Sequence, residues 1–269
     1  MAEHTSPRRI GLVGDAHGNV GFGVKAINTL TERGVREIHF LGDFGFVWLG
    51  KQTQNLALKS LELALTRGSA VAVVTGGNHE GYTEWQKIQP DKNGYRWVRK
   101  HIALLPRGWR STTESGRVIA SLGGANSIDR YSRKPADIGG TWWREEQITE
   151  SDLDALGNEP VDVLLGHDSP ITEALTRKLI PTQHLWNPQG LAYSDRGQAM
   201  FDRGVRQVAP ELVVGGHYHL FLDTNQQFKK PNGEPFESRV VILNAEFHYP
   251  SVAILDTDDL SLEFIEVRQ

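Results

Sequence analysis

Short apolar runs recur along this chain, and several break off at a glycine with a carboxylate, amide or imidazole close behind. The clearest is Val71–Glu80, V-A-V-V-T-G-G-N-H-E. Ala70 to Val74 are small or β-branched, the pattern of a strand buried on both faces. Two glycines then free the backbone for a sharp turn. Asn78 and His79 follow at the strand's carboxyl end, which is where open α/β sheets bind ligands.

The same design repeats on both sides of that stretch. Ile10–Val13 runs into Gly14-Asp15-Ala16-His17-Gly18, and Glu37–Leu41 into Gly42-Asp43. Val118–Leu122, Val161–Leu165 and Leu212–Val214 end in Gly123-Gly124-Ala125-Asn126, Gly166-His167-Asp168 and Gly215-Gly216-His217-Tyr218-His219. Between the first strands, Val24, Ala26, Ile27 and Leu30 form a helical stripe that stops at Gly34, and Asn55–Thr66 forms a second. This β-α-β-α-β order predicts parallel strands with right-handed crossovers.

Beyond Glu80 the pattern loosens. Ile102–Leu105 reads as a short strand, and Ser127–Arg144 has neither helical nor strand period and reads as a loop. Thr149 can cap a helix running through Ala155, with further helical regions at Thr172–Leu179 and Gln198–Val208. Val240–Leu243, Ser251–Leu255 and Leu260–Val267 alternate like strands of a second, mostly antiparallel sheet. The expected organisation is a mobile tail at 1–8 and one domain over 9–269, with an irregular insertion around 125–145 and helices on both outer faces.

Composition narrows the chemistry. The chain has no Cys, so disulfides, thiolate metal sites and cysteine nucleophiles are excluded. A formal charge of −4 argues against stable binding of long nucleic acid on a broad basic surface, while a nucleotide held at a metal remains open. The first residues have no apolar core and no run approaches a membrane span, so the expectation is a soluble cytoplasmic protein that binds no membrane. The sequence specifies no oligomeric state.

Histidine placement carries the functional signal. Of ten His, five (His17, His79, His167, His217 and His219) fall in the strand-end turns. His4, His39, His101, His184 and His248 fall elsewhere and read as surface or packing residues. Asp15 and His17 are two apart, so in extended backbone their side chains share one side. Asp, Asn and His without sulfur suit manganese, iron, nickel, cobalt or zinc. One bridging carboxylate can serve two such ions about 3.5–4 Å apart. Such a pair acidifies a shared water, orients a phosphoryl oxygen and neutralises charge in an in-line displacement.

Gly14-Asp15-Ala16-His17-Gly18, Gly42-Asp43, Gly77-Asn78-His79-Glu80, Gly166-His167 and Gly216-His217-Tyr218-His219 resemble, in order, the motifs of the calcineurin-like metallophosphoesterases. The resemblance implies an α/β fold, a four-layer α-β-β-α sandwich of two mixed sheets. It implies two divalent metal ions, manganese favoured. Asp15, His17 and His219 would hold the first, Asn78, His167 and His217 the second, and Asp43 would bridge. His79 would protonate the leaving oxygen or help hold the phosphate. The substrate would be a small phosphoester or nucleotide.

One departure bears on substrate. Phosphatases of that family continue the second motif as G-D-x-x-D-R-G, whereas this chain reads Gly42-Asp43-Phe44-Gly45-Phe46-Val47-Trp48. The carboxylate that would orient His79 and the phosphate-gripping guanidinium are both replaced by apolar groups. Arg130, Arg133 and Arg144, in the irregular loop, are the candidate replacements, with Arg130 and Arg133 the two favoured. Phe44, Phe46 and Trp48 are expected to offer a surface to an organic substituent, and Trp142-Trp143 to stack on a ring or to cover the core. These features favour phosphodiesters of nucleotide or cyclic-nucleotide type, with phosphomonoester hydrolysis second and a non-catalytic scaffold third.

Overall fold

The computed structural model describes residues 5–48, 50–134 and 139–269. The chain opens with β1 (Thr5–Ser6), β2 (Arg9–Val13), α1 (Val20–Glu32), β3 (Glu37–Leu41), α2 (Lys51–Gly68) and β4 (Val71–Thr75). It continues through α3 (Tyr82–Gln86), β5 (Arg96–Arg99), β6 (Ile102–Leu104), β7 (Trp109–Thr113), β8 (Val118–Leu122), α4 (Glu150–Leu156) and β9 (Val163–Gly166). It closes with α5 (Glu173–Leu179), α6 (Pro188–Val208), β10 (Leu212–Gly215), β11 (Leu222–Lys229), β12 (Pro235–Ile242), β13 (Val252–Asp256) and β14 (Ser261–Ile265). Between β8 and α4 the described residues carry 3-10 turns at Arg130–Ser132 and Arg144–Glu146.

Two seven-stranded mixed sheets result, ordered β14-β13-β2-β3-β4-β6-β5 and β1-β7-β8-β9-β10-β12-β11. In each, four central strands are parallel: β2-β3-β4-β6 and β8-β9-β10-β12. Alternation along these strands builds three cores, and hence four layers. Ile38, Phe40, Ala72 and Val74 turn outward onto α1 and α2 through Ala26, Ile27, Leu58 and Leu61. Their neighbours Leu41 and Val73 turn inward, with Ile10 and Leu12, to meet Val163, Leu165, Leu212, Val214 and Val241 of the facing sheet. Leu164, Val213 and Val240 turn to the other outer face, against Leu153, Phe201 and Val205 of α4 and α6. Strict period-two alternation fixes this register, because a one-residue slip would exchange inner and outer faces.

Two expectations need correction. The last three strands do not form a sheet of their own. β12 lies parallel to β10 in the second sheet, whereas β13 pairs antiparallel with both β2 and β14 in the first. Alternation gives a strand's period but not its partner. Part of the tail expected at 1–8 is built into the fold, residues 1–4 lying outside the described ones: β1 pairs with β7, and the buried Ser6 hydroxyl bonds Glu37 and Ser111. Among the described residues no helix is long and apolar enough to cross a membrane.

Candidate metal centre

Parallel strands point their carboxyl ends one way, so the strand-end turns of both sheets converge at one edge. Asp15, Asp43 and Asn78 come from the first sheet, and His167, His217 and His219 from the second. Glycine makes the approach possible. At Gly42, where φ is +89°, a Cβ would lie 2.2 Å from His167 Nδ1, and at Gly216 it would lie 2.1 Å from an Asp15 carboxylate oxygen. Neither position tolerates a side chain without moving a site residue.

Asp15, His17, Asp43 and His219 each offer a ligand atom, and these atoms lie within 4.8 Å of one another. His219 Nε2 is 3.2 Å from Asp15 Oδ2, and His17 Nε2 is 3.3 Å from Asp43 Oδ2. On the far side of Asp43, His167 Nε2 is 3.1 Å from Asp43 Oδ1 and 3.0 Å from Asn78 Oδ1. The His217 ring lies 5.0 Å from the His167 ring, and the His217 backbone N–H donates to both Asp15 oxygens at 3.0 Å. All seven residues singled out as ligands thus meet in one cluster with Asp43 at its middle. Four of them (His17, Asp43, His217 and His219) have φ between 45° and 71°. Non-glycine residues held there cost on the order of 1–3 kcal/mol each and gather at functional sites.

The electrostatics express an unmet need for cations. Asp15 and Asp43 are 0% and 1% exposed. Burial opposes the imidazolium at His17, but hydrogen bonds to Asp43 and Glu246 and the charge of Asp15 outweigh it and lift the group to about 9. The same contest at His167, won by Asp43 and Asp15, lifts it to about 10. At Asp43 burial opposes the carboxylate, yet the positive charge of His167 and His79 holds it well below its ordinary range. His217 is pushed down to about 3 by burial and by His167. Protons therefore occupy His17 and His167 when no metal does. The donor set of two carboxylates, four imidazoles and an amide, without sulfur, fits divalent ions that accept oxygen and nitrogen ligands.

A proton-coupled metal affinity follows. Ligating imidazoles must be neutral, so loading the metal-free protein at pH 7 is expected to release about two protons, one each from His17 and His167. Calorimetric titration with Mn²⁺ in buffers of different ionisation enthalpy measures the number, and binding without proton release would contradict it. Affinity should tighten as pH rises toward about 9–10. Stability of the metal-free fold runs the other way. The contribution of these raised histidines is complete below their ordinary 6.5 and is lost as pH rises through about 9 and then about 10.

His79 stands at the rim of the cluster. Its backbone N–H donates to Asp43 Oδ1 at 2.7 Å, and its ring packs edge-on against Trp48 and His17 at 5.5 and 5.6 Å. Among the described residues no carboxylate bonds the ring. Burial lowers its pKa first, and His17, Arg133 and His167 lower it further against the pull of Asp43. Arg133 is thus close enough to act on His79, although its guanidinium is paired with Asp129 at 2.9 Å. Arg130 instead stacks over Trp142, 3.8 Å from the ring centroid. Neither arginine lines the cleft that opens beside Asp43, His79, His217 and His219.

Three expectations about the surroundings divide. Phe44 and Phe46 are fully buried in the core beneath α1 and α2 and offer nothing to a substrate. Trp142 and Trp143 are also buried, their indole N–H groups donating to Glu146 and Thr83, so they cover the core. Trp48 alone keeps contact with the site through His79.

Several supporting residues escaped sequence reasoning. Glu246 Oε2 lies 3.0 Å from His17 Nδ1, which leaves His17 Nε2 to face Asp43. Partners of this kind set ligand orientation in metal sites. Glu246 also follows a strand end, in Asn244-Ala245-Glu246, but without the glycine that flags the other turns. The Glu80 carboxylate accepts the Phe44 N–H at 2.8 Å and pins the turn beyond Asp43. Burial, and then the Asp43 charge, push that carboxyl up to about 8. Ser127 accepts the Asn78 amide N–H at 3.2 Å and donates to Glu146 at 2.6 Å, which fixes the Asn78 oxygen toward His167.

The family model of calcineurin-like phosphoesterases matches residues 8–221. The fold is similar to TT1561 of Thermus thermophilus, at 15% identity over 97% of this chain and 99% of that one with a TM-score of 0.56. It is also similar to a dimetal phosphatase from Danio rerio, at 12% identity over 91% of each chain with a TM-score of 0.50. No curated protein matches the sequence. Motif order, converging ligands and a family match across most of the chain agree, and the protein belongs to the calcineurin-like phosphoesterases, metal-dependent hydrolases of phosphoesters.

Proposed function

We propose that the protein hydrolyses phosphodiesters, with nucleotide-type and cyclic-nucleotide diesters the favoured substrates and a binuclear centre, manganese favoured, as cofactor. Asp15, His17 and His219 would hold one ion, Asn78, His167 and His217 the other, and Asp43 both. Bound divalent ions supply Lewis acidity toward the phosphoryl oxygens and a nucleophile at neutral pH. The chain's own residues supply the rest: Glu246 and Ser127 hold His17 and Asn78 in orientation, and His79 faces the substrate edge as proton donor or phosphate contact.

The observation that carries the diester reading is the turn beyond Asp43. Phe44, Phe46 and Val47 point into the core, so this turn brings no guanidinium over the centre. A monoester carries nearly two negative charges at pH 7 and gains from a bidentate Arg, which no apolar group replaces. A diester carries one charge and needs less. The competing monoesterase reading draws on Arg133, whose charge reaches His79.

The test is kcat/KM for an aryl phosphodiester against the matching monoester at saturating Mn²⁺, in the native protein and in Arg133→Ala. The expected result is a diester preference that survives the substitution. A monoester preference that vanishes in Arg133→Ala would show that the loop restores the phosphate grip.

A further inference from the structure

A cleft of about 340 Å³ opens beside the metal centre and shares Asp43, His79, His217 and His219 with it as its floor. Whatever fills it is therefore joined to the phosphate. Its outer wall comes from a segment that strand-end motifs do not touch, the 3-10 turn Ile180–Leu185 and the start of α6. Trp186, 42% exposed, stands on that wall together with Leu179 and Leu191. A large indole left half in water at the mouth of a cleft is a ready stacking platform. The polar groups that line the cleft with it are the amides of Gln183 and Gln198 and the carboxylate of Asp195.

Charge decides what kind of group belongs there. No Lys or Arg occurs among the described lining residues, and of the two carboxylates above the Asp43 floor, Asp129 is already paired with Arg133. A second phosphate would meet Asp195 with no cation to receive it. A plain alkyl chain would leave two amides and a carboxylate facing apolar surface, which is costly. A planar, uncharged ring that carries N–H donors and ring acceptors satisfies both the aromatic and the polar part of this lining. It stacks on Trp186, donates to Asp195 and exchanges hydrogen bonds with the glutamine amides.

We propose that this cleft is the binding site for the nucleobase of a nucleotide substrate, with Trp186 as the stacking residue and Asp195, Gln183 and Gln198 as its polar readers. The proposal rests on the phosphodiesterase reading for the reaction, but its test does not. The volume lies at the small end of the ~300–1,000 Å³ typical of small-molecule sites, enough for one ring with its sugar and too little for an oligonucleotide.

The probes are adenosine 5′-methylenephosphonate and ribose 5-methylenephosphonate, in which carbon replaces the ester oxygen so that neither is hydrolysed. Both are titrated calorimetrically into the Mn²⁺-loaded protein. Stacking of a base on an aromatic side chain corresponds to about 5–150-fold in affinity. The adenosine compound is expected to bind at least about tenfold tighter than the ribose compound. That ratio should fall to less than about threefold in Trp186→Ala and largely return in Trp186→Phe, which keeps a ring. Equal affinities in the native protein overturn the proposal, and so does an advantage that Trp186→Ala retains. Turnover of an aryl phosphodiester is followed in parallel. If turnover is absent while the ring advantage stands, the diesterase reading fails and the base site holds. If turnover is present without a ring advantage, the base site fails alone.

Discussion

Asp43→Asn is expected to lower kcat by at least about 10³-fold while the protein stays folded. The carboxylate is buried, with Oδ1 2.7 Å from the His79 N–H and 3.1 Å from His167 Nε2, and Oδ2 3.3 Å from His17 Nε2. An asparagine of the same shape can keep its carbonyl oxygen on the His79 N–H and turn its amide toward a neutral His17 nitrogen, so the packing is preserved. What disappears is the one charge able to serve two ions at once. Metal-supplied stabilisation of a transition state amounts to several kcal/mol, about 4 kcal/mol being a thousandfold. The fold is checked by circular dichroism, the metal content by elemental analysis and the rate on an aryl diester. Chelation should act in the same direction, abolishing turnover until Mn²⁺ is restored. Undiminished turnover in protein shown to be metal-free would sink both the cofactor assignment and the role given to Asp43.

The candidate cluster was legible because each of its residues sits where a strand breaks off. A buried strand is a run of apolar residues, its end is a glycine, and parallel strands leave their ends on one edge. Spacing alone therefore places Asp15, Asp43 and His167 together although they are far apart in sequence. The supporting shell was not legible for the same reason reversed. Glu246 reaches His17 from a turn without glycine, and Ser127 and Glu146 reach Asn78 from a stretch with no period at all. Sheet membership was read wrongly at β13 and β14, since a half-buried antiparallel strand looks the same whichever sheet edge it covers. Phe44 and Phe46 misled in a different way. Being next to a site residue says nothing of direction, and Gly45, with φ at +69°, turns the chain so that both rings fall into the core. Trp186 carried no signal, because it lies outside every strand-end motif and the floor of its cleft comes from turns distant in sequence.

His79→Ala should keep the metals and lose turnover, and the size of the loss should depend on the leaving group. No ligand distance runs through the His79 side chain; the bond that ties this residue to Asp43 comes from its backbone N–H, which alanine retains. The ring stands at the rim beside Trp48, in a cationic neighbourhood that lowers its pKa together with burial. A phosphate anion arriving next to it works the other way and favours the imidazolium. The residue is thus best able to carry a proton once substrate is bound, which is when a departing alkoxide requires one. General acids contribute about 10²–10⁴-fold, and the expected loss on an alkyl diester lies in that range. On a 4-nitrophenyl ester, whose leaving group departs without a proton, the loss should shrink to less than about tenfold. Rates of both esters are compared in native and variant protein at saturating Mn²⁺, with bound metal quantified in each. Equal losses on the two esters would assign His79 to holding the phosphate instead, because a contact to the non-leaving oxygens is blind to the leaving group.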